Sequence, residues 1–263
     1  ANPTARPRVE AYNESIYLVV HFPLFNTESR KTYAAEVDFI LTKKDLISVA
    51  YESIPPLEDA FKKCSINASC EDLWASKTPA HLLYTILEIL FESCFPKADH
   101  ITEKLNHIED EIFKGNEKNM VMEISVVKRD ILNFRRTLKP QRSILESILQ
   151  KNCQLISKDL IPYFQDLIGT NIRLWNVLEN SKEIIESLEE TNNSLLSNKL
   201  DMTMKLLTIF SAVLLPMTVY SNILAMSADI PFGRNPNGFW IHMTILGFIG
   251  IITITIFKVK KWV

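Results

Sequence analysis

The sequence predicts an α+β membrane protein, in which a small α/β domain precedes long helices and two transmembrane helices. Three observations predict this fold. Two segments near the end of the chain, 206–228 and 235–257, contain no charged side chain. The stretch 79–205 repeats apolar residues mostly at three- and four-residue steps, as amphipathic helices do. The first fifty residues contain β-rich runs that partly alternate with polar residues, as strands do.

The α/β domain is predicted over residues 1–78. Strands are expected at 9–12, 15–22, 32–41 and 46–50, in an antiparallel sheet half-covered by helices. Pro55 and Pro56 then break the chain and begin a short helix. The polar start of the chain does not resemble a signal peptide and reads like the middle of a domain, so we expect N-terminal truncation.

An antiparallel helical hairpin is predicted over 79–155, followed by a cytoplasmic stalk helix over 156–205. One long helix is expected from 79 to about 112, with Gly115 and Asn116 as its stop, and a second long helix over 118–151. Pro162 suits the first turn of the stalk helix. The apolar side chains of the stalk need other apolar side chains to pack against. Copies of the same helix are the simplest source of these, which predicts a homo-oligomer. These positions are Ile172, Trp175, Leu178, Ile185, Leu188 and Leu195.

The two uncharged segments predict transmembrane helices at 206–228 and 239–257, joined by an external loop at 229–238. Each helix is long enough, because a bilayer core requires about 20 mainly apolar residues. Lys199 and Lys205 precede the first helix, and a basic tail over 258–263 follows the second. The positive-inside rule therefore predicts that both ends of this multi-pass protein lie in the cytoplasm. The membrane that it spans is expected to be the inner, cytoplasmic membrane.

The composition excludes several classes of function. A net charge of −2 over 263 residues argues against nucleic-acid binding, which usually shows a basic stripe. The four scattered cysteines predict buried thiols rather than a metal site. No Ser/His/Asp or Cys/His arrangement indicates an enzyme. His242 lies in the second transmembrane helix, where we expect it to be lipid-facing or in an outer ring, neutral and structural.

Several segments resemble the CorA family of divalent-cation channels over essentially the whole chain. They are residues 5–22, 40–49, 136–145, 161–167 and 197–218 and the terminal KKWV. The combination of SNK at 197–199 with MKLLTI and LPMT is the most specific. The resemblance implies a homopentameric funnel in which the first transmembrane helices line the pore. It also implies that membrane lipid surrounds the protein and that Mg²⁺ is both the transported and the regulatory ion. Co²⁺ and Ni²⁺ are the related ions that such a channel would also carry.

The family's Gly-Met-Asn signature at the outer pore mouth is altered in this chain. Ala225, Met226 and Ser227 occupy the three positions. In the family, a ring of Asn amides accepts hydrated Mg²⁺ through the ion's first-shell waters, which suits an ion that dehydrates reluctantly. Ser227 offers an oxygen on a shorter arm, and Ala225 lacks the freedom of glycine to adopt positive φ.

Counting inward by helical steps from Ser227 gives one face of the first transmembrane helix. It carries Asn222, Thr218, Leu215, Ser211, Leu207, Met204 and Asp201. The family pattern makes this face pore-lining, with apolar constrictions at Leu215, Leu207 and Met204. The alternative is ordinary helix packing. Asn222 either supplies the polar ring displaced from the signature or makes a helix–helix hydrogen bond.

Acidic residues match the family's regulatory site between subunits. Asp166 matches the acid of the PYFxD segment, and Glu58 or Asp59 of a neighbouring subunit is its expected partner. Glu190 matches another acidic position of the family. Carboxylates that repel when empty and are bridged by Mg²⁺ would close the channel at high cytoplasmic Mg²⁺. The alternative for Asp166 is a solvated surface acid.

The expected function is therefore a divalent-cation channel that carries Mg²⁺ and is gated by intracellular divalent ions. Two alternatives stay open because the signature is altered. One is a transporter of Zn²⁺ or another transition metal. The other is a non-conducting Mg²⁺ sensor or regulatory subunit.

Overall fold

The computed structural model describes residues 5–26, 31–66, 78–150, 155–225 and 237–259. The chain divides into two compact units, 1–192 and 193–263. The first unit contains a β-sheet and a group of helices. The second contains the end of one long helix and the helix that follows it.

The sheet consists of β1 (Arg8–Ala11), β2 (Ser15–Asn26), β3 (Lys31–Thr42) and β4 (Leu46–Ala50). The strands are antiparallel and lie in chain order, as predicted. β2 and β3 form a long hairpin that pairs Ser15 with Thr42 and Asn26 with Lys31. One face of the sheet is apolar and buried, because Ile16, Leu18, Val20 and Phe22 alternate along β2.

Six helices are present in the described ranges. They are α1 (Pro55–Ile66), α2 (Pro79–Glu92), α3 (Phe95–Phe113), α4 (Glu117–Gln150), α5 (Ile161–Ala225) and α6 (Gly238–Val259). A 3₁₀ turn at Lys158–Leu160 precedes α5. Gly115 has a φ of 93° and separates α3 from α4, which confirms the expected stop at this glycine. α4 packs on the sheet, and Phe91 at the end of α2 meets Phe22 of β2 at 5.3 Å between ring centroids.

The long helix expected from 79 to about 112 is wrong, because the chain breaks at Ser93 and Cys94. Pro96 causes the break, since it has no N–H to bond the carbonyl four residues earlier and its ring crowds that carbonyl. The Ser93 hydroxyl donates to the Leu90 carbonyl at 2.7 Å and ends α2. Cys94 is a buried free thiol, as predicted, and burial raises its pKa to about 12. The other three cysteine side chains lie outside the described residues.

The same chain buries Leu178, Ile185 and Leu188 of the stalk, so these three positions do not require copies of the helix, and the homo-oligomer stays a prediction. The side chains that α5 buries within a single chain recur at three- and four-residue steps. They are Phe164, Leu167, Thr170, Asn171, Leu174, Leu178, Ser181, Ile185, Leu188 and Asn192. α2 contributes Tyr84, whose ring centroid lies 6.1 Å from that of Phe164.

α4 is the main neighbour of this stripe and runs antiparallel to α5. The Asn171 amide donates to the Leu138 carbonyl at 3.4 Å. Arg135 forms an ion pair with Glu179 and stacks 4.8 Å from the Trp175 ring centroid. Trp175 is thereby half-covered from within the chain, and exposed apolar side chains become more frequent in the later part of α5. Leu200, Met202 and Leu206 there are exposed.

Truncating Leu174 tests this packing. Leu174 is 0% exposed in the single chain. We expect Leu174→Ala to reduce the stability of the detergent-solubilised protein by about 2–5 kcal/mol, because it opens a cavity in the stripe. Thermal unfolding measures the effect, with Met122→Ala as the control because Met122 is 72% exposed. Equal losses of melting temperature in the two variants would contradict the packing.

Candidate functional site

The second unit contains two uncharged helical stretches, residues 206–225 of α5 and 238–257 of α6. α5 and α6 are each long and apolar enough to cross a membrane. Their threonine hydroxyls bond the helix backbone, as at Thr208, which donates to the Met204 carbonyl at 2.8 Å, and Thr244, which donates to the Trp240 carbonyl at 2.6 Å. Polar side chains bonded in this way are compatible with a hydrocarbon environment.

One face of α5 packs against α6. Its residues are half-buried and recur at helical steps, namely Ile209, Val213, Met217, Tyr220 and Leu224. Gly250 of α6 lies beside Met217, since a Cβ placed on it would be in ordinary contact with the Met217 sulfur at 3.9 Å. The Tyr220 hydroxyl and His242 Nδ1 are 2.8 Å apart. These contacts fix the rotation of α5 about its own axis relative to α6.

The predicted pore face lies opposite to this packed face. A helix turns by about 100° per residue, which places the seven predicted positions within one stripe turned away from α6. All of them are exposed in the single chain: Asn222, Thr218, Leu215, Ser211, Leu207, Met204 and Asp201. α6 therefore leaves this stripe free to face a pore or a neighbouring subunit.

The polar groups on the stripe differ in how they are bonded. The Thr218 hydroxyl donates to the Leu215 carbonyl at 2.8 Å and is committed to its own helix. The Asn222 amide is exposed and makes no hydrogen bond within the described part of the chain. Ala225 is the last residue of α5. Met226 and Ser227 lie outside the described residues, as do most of the expected external loop and the end of the basic tail.

His242 is not a simple lipid-facing residue. Its ring is half-buried between the two helices, one nitrogen bonds Tyr220, and Nε2 is buried without a partner. No local pattern in the sequence predicts this pair, because the two residues are separated by 22 positions and meet only when α5 and α6 pack.

Asp166 is exposed near the start of α5, beside an aromatic cluster of the first unit. Tyr84 of α2 lies 5.1 Å from Tyr163 between ring centroids. The pKa of Tyr84 is raised well above its usual range, first by burial, then by its hydrogen bond to Glu88 and by the charges of Glu88 and Asp166. Glu88 is therefore an acid in direct contact with Tyr84, and sequence reasoning missed it.

The remaining acids of the predicted regulatory site are also exposed. Glu58 and Asp59 lie on α1, where Glu58 accepts a hydrogen bond from the Ser53 hydroxyl at 2.7 Å. Glu190 lies on α5. Among the described residues, no three acidic, histidine or cysteine side chains converge on a position that could hold a metal ion. A pairing of Asp166 with Glu58 or Asp59 of another subunit stays a prediction.

Known proteins identify the family of this chain. Residues 1–261 match the family described as "CorA-like Mg²⁺ transporter protein". The chain belongs to the CorA family. CorA proteins are membrane transporters of divalent cations with two transmembrane helices, and they are not enzymes, as the sequence predicted.

The relatives of this CorA-like chain that are described below align with 73% to 99% of its length. The cobalt/magnesium transport protein CorA of Thermotoga maritima is 26% identical over 262 residues, covering 99% of this chain and 74% of the relative. The divalent cation transporter CmaX of Pseudomonas aeruginosa is 25% identical over 198 residues, covering 73% of this chain and 59% of CmaX. The complete structure of the CorA magnesium transporter of Methanocaldococcus jannaschii superposes with a TM-score of 0.82 at 21% identity, covering 98% and 80% of the two chains. The solved structure confirms the fold: an α/β domain, a long stalk helix and two candidate transmembrane helices.

Cysteine labelling tests which face of α5 meets water. In a variant whose native cysteines are replaced by serine, we expect Leu215→Cys to react with a charged, membrane-impermeant thiol reagent at least about tenfold faster than Met217→Cys, because access governs thiol modification. Mass spectrometry measures the modified fraction. Leu215 is 63% exposed, and Met217 faces Gly250. Faster labelling at Met217 would reverse the assignment of the two faces.

Proposed function

We propose that this CorA-like chain forms a homopentameric channel that conducts Mg²⁺ across the cytoplasmic membrane. The observation that carries the proposal is the exposed stripe of α5 that is turned away from α6 and that carries no charge beyond Asp201. In a ring of identical subunits, this stripe lines the central axis. Both ends of the chain lie in the cytoplasm, and Co²⁺ and Ni²⁺ pass by the same route.

The Asn222 amide is the proposed selectivity group. It is exposed on the stripe, about one turn from the end of α5, and free of hydrogen bonds within the described residues. Amide oxygens arranged in a ring accept hydrogen bonds from the first-shell waters of Mg²⁺, which the ion keeps. Ala225, Met226 and Ser227 complete the mouth, with the Ser227 hydroxyl as a second ring of oxygens.

Below the mouth, apolar side chains form the proposed gate. Leu215, Leu207 and Met204 follow one another along the stripe and are all exposed in the single chain. Rings of such side chains block ions by excluding water, and a small rotation of α5 opens them. Asp201 adds a ring of carboxylates at the cytoplasmic throat, which attracts divalent ions. Thr218 and Ser211 are the hydroxyl positions between these levels.

Regulation is proposed at the surface acids of the first unit. Asp166 meets Glu58 or Asp59 of the neighbouring subunit, and Glu190 adds a second acidic position along α5. Mg²⁺ bound between these carboxylates favours the closed arrangement, because it removes their mutual repulsion. The exposure of all four acids in the single chain supports this role, since each is free to meet another subunit.

Ion flux into proteoliposomes tests the proposal directly. We expect uptake of Mg²⁺, and a decrease of at least about tenfold in Asn222→Ala, because the ring loses the oxygens that hold the hydrated ion. Ser221→Ala is the matched control, since it removes a neighbouring polar group that lies about 100° away around the helix. A dye assay with Mg²⁺, Co²⁺ and Zn²⁺ in parallel measures the flux.

Each other outcome overturns a part of the proposal. Zn²⁺ flux without Mg²⁺ flux identifies a transition-metal transporter. No flux of any ion, in protein that still binds Mg²⁺, identifies a sensor or regulatory subunit. Unchanged Mg²⁺ flux and selectivity in Asn222→Ala exclude Asn222 as the selectivity group.

Protease protection tests the regulatory site. We expect Mg²⁺ to protect the wild-type protein from limited proteolysis, and Asp166→Asn to require about tenfold more Mg²⁺ for the same protection, because the bridging carboxylate is lost. Glu183→Gln is the control, since Glu183 is an exposed acid on the same helix. The regulatory role fails when the wild type and Asp166→Asn are protected at the same Mg²⁺ concentration.

A further inference from the structure

Tyr220 and His242 form a polar contact within an apolar helix pair, near one end of both helices. Between 206 and 225 on α5 and between 238 and 257 on α6, they are the only side chains that can ionise. Their rings lie 6.1 Å apart between centroids, and the Tyr220 oxygen is 2.8 Å from His242 Nδ1. An ionisable residue at such a depth is costly in a membrane and typically serves a function.

The contact leaves one nitrogen of His242 unsatisfied. Nε2 is buried and makes no hydrogen bond to any described residue. In one neutral tautomer Nδ1 accepts from the Tyr220 hydroxyl, and in the other Nδ1–H donates to the Tyr220 oxygen. In both, Nε2 faces an apolar environment, because the described helix surfaces around it carry no other ionisable group.

A second proton on His242 is incompatible with this arrangement. The imidazolium has two N–H donors, and the one at Nε2 would be a buried charged group without an acceptor. No acidic side chain on α5 or α6 faces the ring in the described parts of the two spans to compensate for the charge. Asp229 and Arg234 of the connecting segment lie outside the described residues. Protonation therefore favours an arrangement in which α5 and α6 separate and Nε2 reaches water.

The pair lies close to one end of both helices. His242 is four residues after the first residue of α6, which is about 6 Å along the axis. Tyr220 is five residues before the last residue of α5 and two residues before Asn222. Protons consequently have a short route to His242 from the side of the connecting loop. Movement of Tyr220 is passed to the part of α5 that carries Asn222.

We propose that His242 is a positioning residue for the conduction pathway and its proton sensor. Neutral His242 holds Tyr220 and with it the outer end of α5, and protonation from the loop side breaks this hold and lowers cation flux. The inference rests on the proposed function, because it concerns how the same pathway is shaped.

The test measures Mg²⁺ flux into proteoliposomes whose internal pH is held at about 7.5 while the external pH is lowered to about 5.5, across the range in which histidine titrates. We expect wild-type flux to fall by at least about threefold over this range, since a proton that binds one state better shifts the population toward it. His242→Ala lowers flux at both pH values. His242→Asn restores most of the flux and gives a flat pH profile, because its carbonyl oxygen replaces Nδ1 as an acceptor and does not titrate.

Two further variants sharpen the test. Tyr220→Phe removes the other partner, and we expect reduced flux at pH 7.5 with little further loss at pH 5.5. Thr244→Val is the control on α6, because Thr244 is exposed and bonds its own backbone, and it should keep the wild-type pH profile. A wild-type flux that does not change with external pH, or the wild-type profile in His242→Asn, overturns the inference.

A second measurement does not depend on transport. We expect the thermal unfolding midpoint of the detergent-solubilised wild type to fall more steeply between pH 7.5 and 5.5 than that of His242→Asn, because only the wild type must bury or expose an imidazolium. Parallel curves contradict the inference. Absence of Mg²⁺ flux in the wild type at every pH would instead contradict the proposed function, and the two failures are therefore distinguishable.

Discussion

The interior of a bilayer supplies no hydrogen-bond partner, and this constraint shapes the second unit. Every threonine on the two uncharged stretches donates its hydroxyl to a backbone carbonyl of its own helix. These are Thr208, Thr218, Thr244, Thr253 and Thr255. The Asn222 amide and the Nε2 atom of His242 are not satisfied in this way. The Asn222 amide lies on the exposed stripe, where it suits contact with a hydrated ion. The His242 Nε2 atom lies between the two helices, where it suits control of their packing.

The first unit buries the apolar stripe of α5 against its own helices. α2 and α4 cover the stripe of α5 as far as Asn192, and the ion pair of Lys128 with Glu189, at 2.5 Å, closes the far end of the contact. Association of subunits therefore has to draw on other surfaces. Large apolar side chains are exposed all along α5, at Tyr163 and Ile184 beside the stripe and at most such positions from Leu200 onward. Both sets are available to a partner.

Much of this organisation could be predicted from the sequence because it is periodic. The alternation of apolar and polar residues predicted the four strands, and the absence of charged residues predicted both membrane helices. Counting by helical turns predicted the stripe that α6 leaves exposed. The break before Phe95 was missed although Pro96 signals it, because the apolar spacing continues across the break. The partner of the stalk stripe, the neighbourhood of Tyr84 and Asp166, and the contact of Tyr220 with His242 could not be found by periodicity. Each joins residues on different helices, and spacing within one helix carries no information about its neighbour.

Asn171 limits how α5 can move. It is buried in an otherwise mostly apolar stripe, and its amide bonds the Leu138 carbonyl of α4. A slide of α5 along its axis by one turn would take this amide away from its acceptor, and a buried unpaired donor costs about 1–3 kcal/mol. Sliding of α5 along its axis is therefore less favourable than bending or twisting of the segment beyond Asn192. A conformational signal from the first unit would then be transmitted along α5 by rotation or bending of the helix rather than by a shift along its axis.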